Sequence, residues 1–344
     1  MAINKNEALI LVTGGTGFLG SYLIRLLWKN GYRVRALRRS SSQMDLVQEV
    51  AGKVEWVEAD VTDIVALEDA FQGVTHVMHC AAISSFHPRD AERLQKINVD
   101  GTANIVNLAL DFKIQKLIHV SSIAAFGRQK ERPRLDENAK WVQSRDNTRY
   151  AISKYQSEQE VWRAHVEGLP VAIVNPAVIF GSGSWDAGSP RFFKQIDQGL
   201  KFWPCGRSGI VDVRDVAQFM LLLLESDIAG ERYILNAQDI TFKDLFKMIA
   251  DALSTTPPPI KVTPLLAEVA WRVEWLKEKI LGADPVVTKE SARSSVSSFY
   301  YDHKKSLTLP GFHYRPLEQT IRETGAQYLE SKKDGAKAKV LPFD

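Results

Sequence analysis

Short apolar runs alternate with longer amphipathic stretches through the first half of the chain. Residues 9–12, 32–37, 54–57, 74–79, 116–120 and 171–174 read as six strands. Several are apolar throughout, as strands covered on both faces of a parallel sheet must be. Between them, residues 18–29 carry Phe18, Leu19, Leu23, Leu26 and Leu27 at helical spacing, and residues 63–71, 90–112 and 143–167 also read as helices. Strands alternating with helices predict an α/β fold on a doubly wound parallel sheet. Past residue 180 the pattern is less regular. Residues 181–190, rich in glycine and serine, predict a mobile loop ahead of a helix from Arg191, and residues 216–224 read as a helix. Residues 263–281 carry a stripe of Leu266, Val269, Ala270, Val273, Leu276 and Ile280, flanked by Trp271 and Trp275. The stripe reads as core or subunit contact ahead of contact with a membrane.

The chain's 344 residues can bury a substantial core. Its 45% apolar and 25% charged residues are ordinary for a soluble protein. A net charge of +3 gives no reason to expect nucleic acid as a partner. The two cysteines, Cys80 and Cys205, make neither a disulfide framework nor a metal-ligand spacing, so no metal is expected and Cys80 reads as a buried free thiol. The first strand leaves no room for a signal peptide, and no apolar run is long enough to span a membrane. A reduced, cytoplasmic setting fits these features.

Three glycines, Gly14, Gly17 and Gly20, separate the first strand from the first helix. Strand, glycine turn and helix in that order is the setting in which such a loop cradles a dinucleotide. Gly14 lets the chain turn sharply, Gly17 admits a pyrophosphate to the backbone, and Gly20 lets helix and strand approach. Thr16, Phe18 and Leu19 complete the expected phosphate-facing set. The second strand ends in Arg38 and Arg39 followed by three serines, with no acid between Tyr32 and Gln43. Arginine there accommodates a 2′-phosphate, so the expected cofactor is NADP, with NAD also possible.

The loop Thr-Gly-Gly-Thr-Gly-Phe-Leu-Gly resembles that of the extended short-chain dehydrogenase/reductases, the NAD-dependent epimerase/dehydratase superfamily, and the resemblance runs from Leu9 to Leu329. It implies a Rossmann domain over residues 1–180 and a smaller C-terminal α/β substrate region over 181–330. Part of 210–240 would return to the first domain, and 331–344, charged and small-residue-rich, would form a flexible tail. It further implies that Asp60, with Val61, meets the adenine, although Asp60 or Thr62 could instead cap the following helix. Ala81 and Ala82 would underlie the ribose and phosphate, Pro176, Ala177 and Val178 would complete the cofactor site, and Asn98 would support the active site.

Tyr150 and Lys154 lie one helical turn apart, where an ammonium can favour the phenolate and hold a nicotinamide ribose. The family pattern Ser-Ser-x-x-x-x-Gly is met by residues 121–127 and selects Ser122 as the third catalytic residue, with Ser121 as the fallback. The run 171–181 lacks the arginine, tyrosine and proline usual in sugar-nucleotide enzymes and looks more like the dihydroflavonol-reductase and 3β-hydroxysteroid dehydrogenase branch. Ile123 and Ala124 stand where a dehydratase needs acids. Phe86, Phe126, Phe180 and Trp185 suggest an apolar substrate face. The expected enzyme therefore moves hydride between NADP(H) and an apolar ketone/alcohol pair, in a homodimer paired through two long helices. An NDP-sugar 4-epimerase and a non-catalytic dinucleotide sensor are the alternatives.

Overall fold

The computed structural model describes residues 3–128, 134–282, 284–335 and 339–343. Its main sheet has seven parallel strands: β1 (Leu9–Thr13), β2 (Arg33–Arg38), β3 (Glu55–Glu58), β4 (His76–His79), β5 (Lys116–Val120), β6 (Val171–Pro176) and β7 (Glu231–Leu235). Their order is β7-β6-β5-β4-β1-β2-β3. The order reverses between β1 and β4, which opens a crevice at the carboxyl ends of the strands.

Alternation along each strand divides its side chains between two cores. Ile10, Val12, Met78 and Ile118 pack with Leu23 and Leu27 of the Phe18–Lys29 helix and Phe219 of the Val213–Glu225 helix. Leu9, Leu11, Val77 and Leu117 pack on the other side with Leu67, Phe71, Ile105 and Val161. Each such aliphatic side chain contributes about 1.5–3 kcal/mol by leaving water. The sheet is thus the doubly wound one expected, with β7 as a seventh strand. Glu231 and Arg232 begin β7 at the sheet edge, so it has no continuous apolar run by which to announce itself.

Two predicted helices differ in detail. The path read as one helix over 90–112 runs through Ala91–Leu94, widens to a π-helix over Gln95–Asp100 and narrows again over Gly101–Asp111. Gly101 is required there, because a Cβ would lie 2.6 Å from Val61 Cγ2. The helix read from residue 143 starts instead at Arg149, where Thr148 caps it by accepting the Ala151 amide proton.

The smaller region holds a three-stranded sheet of Val178–Phe180, Arg207–Asp212 and Gln238–Thr241. Phe180, Phe193, Ile240, Phe246 and Ile321 form its core. An ion cluster ties it to the Val213–Glu225 helix, which packs on the main sheet: Arg214 pairs with Asp212 and Glu323, each at 2.7 Å. Three expectations for this region change. In the Pro264–Leu281 helix only Ala267 is buried, so the apolar stripe is not core. The loop 181–190 is anchored, with Ser182 and Ser189 buried and the Tyr22 hydroxyl donating to the Ser182 carbonyl at 2.8 Å. The tail expected from residue 331 continues the Leu317–Asp334 helix, and its described end packs back on the main domain. Leu341 is buried, its amide donates to the Tyr22 hydroxyl at 2.9 Å, and the Phe343 ring meets Tyr22 edge to face. The apolar residues of Val340-Leu-Pro-Phe343 outweigh the charged, small residues before them.

Candidate active site

The turn after β1 is shaped by contacts that only glycine permits. Gly14 has φ +68°, and a Cβ on it would lie 2.9 Å from the Ala81 amide nitrogen. A Cβ on Gly20 would lie 2.2 Å from the Gly14 carbonyl oxygen. Gly17 heads the Phe18–Lys29 helix without a side-chain cap, so the first amides of that helix are left for an anion.

A groove runs along this turn. Gly14, Thr16, Gly17, Phe18, Leu19 and Gly20 form one wall. Leu37, Arg38, Arg39 and Ser42 close the end beyond β2; Ala59, Asp60 and Val61 follow from β3. Cys80, Ala81, Ala82 and Ile83 complete it beyond β4, with Ile97 opposite. These residues suit a dinucleotide: cradling amides for phosphates, a flat small-residue wall and a cationic end. Ser42 accepts the Arg39 amide proton at 2.9 Å, which curls the arginine loop. Arg38 lies 3.8 Å from Glu58, an acid that sequence reasoning did not place there. Asp60 does not cap the next helix. Asp63 does, accepting from Ala66, while Asp60 accepts from the Thr62 amide and hydroxyl and keeps its side chain at the groove.

Outside this lining, with the Lys154 charge felt by Cys80, the structure brings Ser122, Tyr150 and Lys154 together. Ser122 follows β5 and caps the short turn Ile123–Phe126, its hydroxyl accepting the Ala124 amide proton at 3.1 Å. Tyr150 sits in the first turn of the Arg149–Val166 helix. Burial raises its pKa, opposed by hydrogen bonding to the Ser122 and Ser84 hydroxyls. Ser84 was not anticipated; nothing in its local sequence marks it, and only the fold carries it to Tyr150. Lys154 is buried, and its ammonium donates to the Val120 carbonyl at 2.8 Å. Burial pushes its pKa down to about 8, while Glu158, one turn further along the helix, pulls it up. Glu158 is fully buried and held by Asn175 and Arg232. Ser121 points away, its buried hydroxyl without a hydrogen-bond partner among the described residues.

A directional hydrogen-bond chain joins the groove to this cluster. Thr13 Oγ1 accepts from the amides of Cys80 and Ala81, so its own proton must go to His79 Nδ1 at 2.7 Å. His79 then carries its proton on Nε2 and donates to Thr102 Oγ1 at 3.0 Å, and Thr102 donates to the Asn98 carbonyl. Burial, and then the charge of Lys154, push the His79 pKa down to about 3, which keeps this tautomer neutral. Asn98, in the π-helix, accepts from the Ile83 amide and donates to the Ile83 carbonyl and the Ser153 hydroxyl. Ser153 in turn donates to the Tyr150 carbonyl.

The other expected residues take varied places. Pro176 ends β6, and Ala177 is buried with Ile123 and Phe126; neither these nor Val178 lines the groove. Of the four aromatic residues expected on the substrate face, Phe86 meets Tyr150, ring centroids 6.2 Å apart. Phe126 and Phe180 are fully buried core, and Trp185 packs on Phe193 and Tyr328. An apolar residue near a site in sequence does not announce which way it faces. Among the described residues, no group of His, Cys, Asp and Glu could hold a metal ion.

Residues 10–236 match the NAD dependent epimerase/dehydratase family. The chain is 31% identical to a Synechocystis sp. protein assigned provisionally as a dihydroflavonol 4-reductase, over 91% of this chain and 92% of that one. It is 31% identical to sterol demethylase protein B of Methylococcus capsulatus, over 75% of this chain and 78% of that one. The crystal structure of gox2253 superposes with a TM-score of 0.80 at 31% identity, covering 96% of this chain and 99% of that one.

Proposed function

The chain belongs to the NAD-dependent epimerase/dehydratase family and is an enzyme of the extended short-chain dehydrogenase/reductase group, and from that premise we propose that it reduces an apolar ketone or aldehyde with NADPH and oxidises the matching alcohol. The observation that carries this reading is the meeting of Ser122, Tyr150 and Lys154 at the end of β5 and the first turns of the Arg149–Val166 helix, with Phe86 beside the phenol. The named relatives support a bulky apolar substrate, since one carries a flavonoid and the other a sterol in its name.

The glycine-loop amides would hold the pyrophosphate, and Arg38, Arg39 and Ser42, which line the groove, would receive the adenosine 2′-phosphate. Bound nicotinamide supplies the hydride for reduction and takes it back in oxidation. Ser122 and Tyr150 hydrogen-bond the substrate oxygen, and Ser84 lies close enough to join them. Tyr150 gives its phenolic proton to that oxygen as negative charge develops there. Lys154 stabilises the phenolate left behind, held in place by Val120. The Ile123–Phe126 turn has no acid beside Ser122 to expel a hydroxyl group, which argues against dehydration. Arg207, at the start of the Arg207–Asp212 strand, stacks on Tyr300. The reading includes a homodimer paired through the Gly101–Asp111 and Arg149–Val166 helices, which light scattering would report as twice the chain mass.

Separate titrations of NADPH and NADH, followed by aromatic ketones, steroids and UDP-sugars, test the proposal. Tighter NADPH binding with carbonyl-dependent oxidation supports it. Retained NAD with interconversion of UDP-glucose and UDP-galactose would replace it with an epimerase.

A further inference from the structure

Glu158 is a fully buried carboxylate four residues after Lys154, as Lys154 is four after Tyr150, so the three share one face of the Arg149–Val166 helix. Its two oxygens accept from Asn175 Nδ2 and, at 3.3 Å, from Arg232. Arg232, in β7, is held in turn by the carbonyls of Glu137 and Ala139, to which its guanidinium donates. A buried ion pair seldom repays its desolvation, so stability alone does not account for one beside the catalytic cluster.

Asn175, in β6, carries the contact to the active site. Its Nδ2 donates to the Ser122 carbonyl at 3.0 Å as well as to Glu158. Its buried Oδ1 has no hydrogen-bond partner among the described residues. The amide is therefore oriented wholly by what its nitrogen gives; turned over, it would set Oδ1 against the carboxylate. Glu158 fixes Asn175, and Asn175 fixes the backbone of the residue whose hydroxyl meets Tyr150.

The same carboxylate acts on the lysine. The Lys154 charge reaches Glu158 on its own helix, Cys80 and His79 at the end of β4, and His119 in β5. Burial pushes the Cys80 thiol up to about 12 and both imidazoles far below their usual range, so these three are uncharged. Tyr150, one turn back, is a neutral phenol until it gives up its proton. Glu158 is the one anion among these groups.

We propose that Glu158 is a positioning residue for both partners of Tyr150: through Asn175 it sets the Ser122 backbone, and its charge keeps the Lys154 side chain an ammonium. The inference rests on the reading of Ser122, Tyr150 and Lys154 as the catalytic set.

The test for the lysine needs no substrate. It is an NMR titration with pH of the full chain carrying isotope-labelled lysine side chains, the Lys154 signal being the one lost in Lys154→Arg. The parent should titrate at about 8. Glu158→Gln can still accept from Asn175 but has no charge, so Lys154 should hold its proton roughly tenfold more weakly. Glu158→Asp keeps the charge and should titrate close to the parent. A role in packing alone would lower the melting temperature of both variants and move the titration in neither. For the serine, Asn175→Ala should lower kcat roughly 10- to 100-fold with the Lys154 titration unchanged. A Glu158→Gln titration that matches the parent, or parental turnover by Asn175→Ala, would overturn the proposal. A parent that reduced no carbonyl would instead overturn the functional reading, and the titration would still decide whether Glu158 acts on Lys154.

Discussion

The Lys154 ammonium donates to the carbonyl of Val120, the last residue of β5, at 2.8 Å. The strand that delivers Ser122 thus also fixes the lysine that serves Tyr150. One strand end and one helix turn set the triad, and their relative position is held by the packing of the helix on the sheet.

Because Lys154 is buried, its pKa lies at about 8 instead of 10.5. Its charge, which the phenolate needs, is present below about 8 and lost above it. The rate of reduction at saturating NADPH should therefore fall as pH rises through about 8, and Lys154→Arg should move that limb upward, since arginine keeps its charge. A profile flat through this range contradicts the role. Stability has the opposite sign: between about 8 and 10.5 the unfolded chain holds the proton more tightly, so the burial penalty relaxes as pH rises.

Ser121 and Ser122 should separate cleanly. Ser122→Ala removes a hydrogen bond to the developing oxyanion and should lower kcat roughly 10²- to 10³-fold. Ser121→Ala removes a hydroxyl with no partner among the described residues, so turnover should hold and stability should stay level or rise. Steady-state kinetics and melting curves of both variants decide the matter; equal losses would contradict the assignment.

Replacing Arg38 and Arg39 with serine should weaken NADPH binding roughly 10- to 100-fold, as expected for lost charge-assisted bonds, and leave NADH nearly unchanged. Fluorescence titration measures both. Equal weakening of the two cofactors would place the 2′-phosphate elsewhere.

His79→Phe cuts the chain that runs from Thr13 to Asn98, leaving the Thr13 hydroxyl proton without its acceptor and Thr102 without its donor in the interior. Unfolding in denaturant should show a loss of about 2–4 kcal/mol. A variant as stable as the parent would show that the chain is incidental.

Much of this architecture was readable because a sheet covered on both faces forces apolar runs, as in Leu9–Thr13, and because glycine is the only residue that fits at Gly14 and Gly20. What escaped reading depends on tertiary approach. β7 is an edge strand with a charged start, and the π-helix at Gln95–Asp100 leaves no mark in the apolar spacing. Ser84 reaches Tyr150 only through folding, and Glu158, one turn from Lys154 on the same helix, is buried only through its partners Asn175 and Arg232. Phe126 and Phe180 face the core because apolar character alone does not choose between a pocket wall and an interior.

The central claim is that Tyr150 protonates a carbonyl oxygen reduced at the expense of NADPH. The most direct measurement compares NADPH consumed with alcohol formed, for the parent and for Tyr150→Phe, alongside the NADPH affinity of each. The account predicts equal amounts of the two in the parent and a loss of roughly 10²- to 10⁴-fold in the variant with its NADPH affinity retained. Full turnover by Tyr150→Phe, or substrate conversion by the parent with no net NADPH consumed, would contradict it.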